Sequence, residues 1–159
     1  MIKRTFAAVF LLALVAGSPA LAHDITAGTL ELSDLWTRAT PPGAPTAAGY
    51  LTVTNNGSEA DRLIAASTPL ADVGRMHQMA VTDGVMTMTP VEGIDIAPGE
   101  TVTLAPGGFH IMFVGMKEPL TAGGVMPVTL TFERADAIET YLHVVGIGAL
   151  APEAEHQDH

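Results

Sequence analysis

The sequence contains no cysteine. Thiolate metal sites, thiol nucleophiles, dithiol redox motifs and disulfides are therefore excluded, and any site for a soft metal has to use thioethers. Basic side chains are scarce as well: seven Lys and Arg stand against seventeen Asp and Glu, a net charge of −10. Nucleic acids and anionic membrane surfaces are bound by basic patches, so neither is an expected partner. After the first 22 residues no apolar run approaches the roughly 20 residues that a membrane span requires. No apolar pattern of helical period lasts beyond two turns, and no internal repeat is present. No nucleophile is paired with a base, so an enzyme is not expected.

The first 22 residues differ from the rest. Lys3 and Arg4 open the chain, Phe6 to Gly17 is apolar, and Ser18-Pro19-Ala20-Leu21-Ala22 ends the run with small side chains where a signal peptidase needs them. That order describes a secretory signal peptide. Residues 1–22 are read as the leader, residues 23–150 as one domain, and residues 151–159 as a loose, His-containing tail. The leader carries two basic residues and no acid, so the exported chain has five basic and seventeen acidic residues. The expected product is a periplasmic protein, monomeric and not inserted in a membrane.

The domain reads as all-β. Gly49 to Thr54 is a β-branched and aromatic run that meets Asn55-Asn56-Gly57, a hairpin-type turn. Val85 to Thr89 alternates, and Pro98-Gly99-Glu100 and Pro106-Gly107-Gly108 are turns on either side of a strand at Thr101 to Leu104. His110 to Val114, Val128 to Glu133 and Thr140 to Val145 are further strands. Pro41 to Pro45 is a loop, since proline disrupts a strand ladder. About ten short strands with turn signals at this spacing imply a β-sandwich or Greek-key barrel.

Seven of the eight methionines fall between Met76 and Met126. Methionine commonly fills gaps in a core, and Met116, Met126 and Trp36 are read that way. The remainder form a pattern. Side chains alternate along a strand, so His77 with Met79, Met86 with Met88, and His110 with Met112 each share a face. Ile111 and Phe113 read as core, which turns His110 and Met112 to the outer side or rim. Thioether sulfur is soft and selects Cu(I), whereas zinc favours Cys, His or carboxylate and calcium and magnesium take oxygen. His143 is read as a structural or surface residue, and Met86 as packing or a docking ligand.

The spacing of His77, Met88, His110 and Met112 is H-x10-M-x21-H-x-M. With Trp36-Thr-Arg38-Ala-Thr-Pro-Pro-Gly43, Gly84-Val-Met-Thr-Met88, Pro106-Gly-Gly-Phe-His110 and Gly115-Met-Lys-Glu-Pro-Leu120, the sequence resembles the periplasmic copper chaperone family PCu(A)C. The resemblance implies a cupredoxin-like β-barrel holding Cu(I) at a shallow, exposed site of His77, Met88, His110 and Met112. It also implies delivery to the dinuclear copper centre of cytochrome c oxidase subunit II, alongside Sco-type thiol proteins. Many members carry Met directly after the first His; here Gln78 stands there, and Met79 follows one place later. A periplasmic copper buffer or resistance protein using the same site without a dedicated acceptor is the alternative. A deletion strain that is copper-sensitive but normal in oxidase activity would favour it. Two weaker Cu(II) sites are candidates: His23 as a new N-terminus, and His156 with His159, helped by Glu155 or Asp158.

Overall fold

The computed structural model describes residues 24–152. The signal segment, His23 and the tail histidines lie outside these residues. Eleven strands occur in chain order: β1 Ile25–Ala27, β2 Leu30–Arg38, β3 Thr46–Asn55, β4 Asp61–Ser67, β5 Val73–Thr82, β6 Val85–Val91, β7 Ile94–Ile96, β8 Thr101–Leu104, β9 Phe109–Val114, β10 Val125–Phe132 and β11 Asp136–Val145. Among the described residues no helix is long and apolar enough to cross a membrane. The all-β reading holds: β8 has the expected bounds, β3 runs longer at both ends, β6 ends later, β9 and β11 begin earlier, and β10 begins earlier and ends one residue sooner.

The strands form one sheet in the order β6-β5-β9-β3-β2-β11-β10-β4-β7, with β1 on β2 and β8 on β3. Every pairing is antiparallel except that of β11 with β2. The sheet curls until β4, near one end of the order, meets β5, near the other. Gly74 permits this approach, because a Cβ there would run into the carbonyl of Ala66. Alternate residues of the strands fill the interior: Leu30, Leu32, Leu51, Val53, Leu63, Ile111, Phe113, Met126, Leu130, Phe132 and Leu142 are buried. Trp36 and Tyr50 pack with tilted rings, centroids 4.4 Å apart, in a second, smaller cluster with Val145.

One expected turn is corrected. Asn55-Asn56-Gly57 does not close a hairpin, since β3 pairs with β2, β8 and β9 while β4 pairs with β10 and β7. Asn55 instead ends β3 from a fully buried position. Its Nδ2 donates to the carbonyls of Glu59 and Ile96, and its Oδ1 accepts from the Gly57 amide. A buried amide satisfied on both sides costs little and orders the crossing. The true tight hairpin joins β5 to β6 through Asp83 and Gly84, whose φ angles are 52° and 78°. Two residues with positive φ make a type I′ turn, whose twist suits a two-residue hairpin.

Candidate metal centre

The hairpin turn sets the register of everything beside it. Thr82 opposes Val85, so Val81 faces Met86, Met79 faces Met88, and His77 faces Pro90. A two-residue hairpin closes on a hydrogen-bonded pair, and the pairs then alternate. The Met79–Met88 and His77–Pro90 pairs are therefore of the non-hydrogen-bonded kind, with Cα atoms only about 4.5 Å apart. Pro90, which has no N–H to offer, suits that place. On its other side β5 meets β9, and His77 lies directly opposite His110.

His77 is thus the hub of the four predicted residues. It is opposite His110, diagonal to Met88 across β6, and diagonal to Met112 across β9. Such diagonals are about 7–8 Å, within reach of long side chains. The two methionines lie on opposite diagonals, so they approach the imidazole pair from opposite sides. The imidazole rings are 5.7 Å apart at their centroids with planes 26° apart. Bringing one nitrogen of each ring to a common ion takes a tilt of the rings toward each other.

The imidazoles differ in their surroundings. His110 lies 3.3 Å by its Nδ1 from the Gly108 carbonyl, which also accepts the Met79 N–H at 3.0 Å. A carbonyl can only accept, so it holds the proton on Nδ1 and leaves Nε2 of His110 as the donor for an ion. His77 has a buried Nδ1 with no hydrogen-bond partner. Its pKa is lowered, first by desolvation on burial, then by His110 and Arg75. Each of these influences favours the neutral ring, the form that ligates metals.

Exposure differs from expectation at one position. Alternation does put His110 on the face opposite Ile111 and Phe113, yet it is only 3% exposed. The turn carrying Gly108 lies against the ring. Met112 and His77 are half-buried, while Met88 is 47% exposed. The centre is therefore open on the β6 side and enclosed on the β9 side. Sequence reading passed over Arg75, which faces Met112 across the strands, and over the Gly108 carbonyl. Asp83-Gly84 was the available signal for the hairpin. His143 sits on β11, paired with Trp36 and edge-on to Tyr141 at 5.3 Å, with β3 and β2 between its strand and β9. Met126 is fully buried, and Met116 packs against the core.

Residues 30–144 match the family model described as "Putative lipoprotein LpqE-like". The chain belongs to the LpqE-like family. A Leifsonia xyli subsp. xyli protein described as "Putative lipoprotein Lxx21020" is 36% identical to this LpqE-like chain over 104 residues. That alignment covers 65% of this chain and 61% of the relative, so the chain spans less than two thirds of the relative's length. Among solved structures, the apo PCuAC domain of PmoF2 superimposes with a TM-score of 0.69 at 26% identity, covering 81% of this chain and 99% of that domain. The copper-bound PmoF2 domain gives 0.68 at 26% identity over 78% and 98% of the two chains. The Cu(I) form of DR1885 from Deinococcus radiodurans gives 0.55 at 29% identity, over 78% of this chain and 81% of that one. This LpqE-like chain has a single-domain, cupredoxin-like β fold.

The residues suit a soft monovalent ion better than a hard one. Among the described residues no three His, Asp or Glu side chains gather into a metal cage. An ion between His77 and His110 would take its further protein donors from sulfur on the same face.

Proposed function

We propose that this chain is a periplasmic Cu(I) carrier that holds the ion with His77, Met88, His110 and Met112. The observation that carries the reading is the buried His77 Nδ1, unpartnered beside the His110 ring. An unpaired buried polar atom costs about 1–3 kcal/mol, a cost that ion binding by this imidazole pair offsets. The nearby methionines decide which ion, because thioethers select Cu(I). Four neutral donors leave the ion its positive charge, which disfavours the divalent state. Similarity to the copper-bound PmoF2 domain and to the Cu(I) form of DR1885 supports the same reading.

Release follows from the asymmetry of the centre. Met88 on the open side is the first ligand an incoming thiolate displaces, and the enclosed His110 lets go last. The ion passes through a mixed-ligand intermediate without change of oxidation state. The resemblance stated above makes the dinuclear copper centre of cytochrome c oxidase subunit II the destination, with Sco-type thiol proteins acting alongside. The leader-like N-terminus and the lipoprotein naming of the family support an envelope location.

The test is Cu(I) competition against a chromophoric chelator for the parent protein, Met88→Leu and Met112→Leu. These swaps nearly conserve volume and cost under about 1.5 kcal/mol of stability. Each variant is expected to bind Cu(I) at least tenfold more weakly, and X-ray absorption of the parent is expected to report nitrogen and sulfur together. Unaltered affinity in both variants, or a spectrum lacking sulfur, would falsify the assignment.

A further inference from the structure

The β5–β6 hairpin carries sulfur beyond the four proposed ligands. Met79 is directly opposite Met88, and Met86 is diagonal to Met79 and directly opposite Val81. All of these share the face of His77, because they occupy alternate positions in register with it. His77, Met88, Met79 and Met86 therefore form a zigzag up the hairpin toward its Asp83-Gly84 tip. Successive steps are about 4.5 Å across a direct pair and about 7–8 Å along a diagonal, measured at the backbone. Exposure climbs the same way, from a half-buried His77 and Met79 through Met88 to Met86, which is 65% exposed.

An exposed methionine on an edge strand gains nothing from packing. Directly opposite it on this face lies the exposed Val81, and no carboxylate stands on this face between His77 and the tip. A hard cation finds no oxygen ligand there, whereas a soft one meets three flexible thioethers, and soft donors select Cu(I). Three rotatable bonds let each sulfur sweep toward its neighbour.

We propose that Met79 and Met86, with Met88 as the shared member, form an outer three-sulfur station through which Cu(I) enters and leaves the inner site. This rests on the carrier reading given above. Within the station each step exchanges one neutral thioether for another. Copper stays Cu(I), no electron moves, and no proton is released, since a thioether carries none. Met88 belongs to both stations and hands the ion inward to His77.

A station on the path, as opposed to a ligand of the resting site, changes both rates by the same factor and leaves the equilibrium alone. Stopped-flow transfer of Cu(I) to and from a chromophoric chelator is measured for the parent protein, M86L, M79L/M86L and M88L. The double variant is expected to keep its Cu(I) affinity within about threefold while association and dissociation each slow about tenfold, with M86L intermediate. Rates equal to the parent's would overturn the station, and so would a loss of affinity with an unaltered association rate. The M88L arm separates the two ideas: if it keeps the parent's affinity, the inner ligand set is wrong whatever the double variant does. Unchanged thermal melting of M86L, whose residue is mostly in solvent, shows that the slowing is not a folding defect.

Discussion

Gly74 is the point at which a single methyl group should do most harm, and the reason is steric alone. A Cβ there would overlap the carbonyl oxygen of Ala66 on β4, come within 2.9 Å of its carbon, and stand 3.3 Å from Cε1 of the buried Phe113. Two of these atoms are backbone, which cannot swing aside as a side-chain tip does. Overpacking costs about 1–3 kcal/mol, and rigid neighbours put Gly74→Ala at the upper end. For a domain of this size about 3 kcal/mol lowers Tm by roughly 9–15 °C. Relief by moving β5 would also carry His77 out of register with His110, so Cu(I) affinity should fall with stability. The control is Gly84→Ala, where a Cβ meets nothing within 4 Å but φ is 78°; forcing alanine to positive φ costs about 1–2 kcal/mol. Differential scanning calorimetry of both apo variants reads the difference. Should G74A melt within about 2 °C of the parent, or above G84A, the account of how β4 and β5 close the sheet is mistaken.

Three further outcomes are expected. Cu(I) buffered at a hundredfold excess over Kd should stabilise the fold by about 2.7 kcal/mol, a rise of roughly 8–14 °C in Tm, and M88L/M112L should lose that rise when scanned at the same free Cu(I). Asp61→Ala removes a buried carboxylate that accepts the amides of Arg62, Arg134 and Ala135; urea unfolding should show a loss of about 2–4 kcal/mol. The lowered pKa of His77 means the folded protein binds fewer protons than the unfolded chain just below pH of about 6.5. Apo stability should therefore decline as pH falls from there to the lowered value, and level off beneath it as far as this group is concerned. Arg75→Gln, which removes one of the charges depressing His77, should narrow that window and start the acid loss of Cu(I) affinity at a higher pH, both followed by titration from pH 8 to 5.

Much was legible from residue types alone. The absence of cysteine, the clustering of Met with His, and alternation along β5, β6 and β9 name the soft donors and the face they share, because side-chain direction in a strand depends only on parity. Composition and turn spacing likewise specify an all-β domain. Other features depend on which strands become neighbours. Asn55-Asn56-Gly57 has the letters of a hairpin, yet β4 finds partners in β10 and β7, and local turn chemistry cannot reveal a pairing made with segments so much further along the chain. The enclosure of His110, the orphaned nitrogen of His77 and the placing of Arg75 opposite Met112 arise the same way, from β5 lodging between β6 and β9. The sequence by itself determined the donors and their period of two; the tertiary structure decided their register, their burial and the side from which an ion can reach them, since those follow from contacts between segments far apart in the chain.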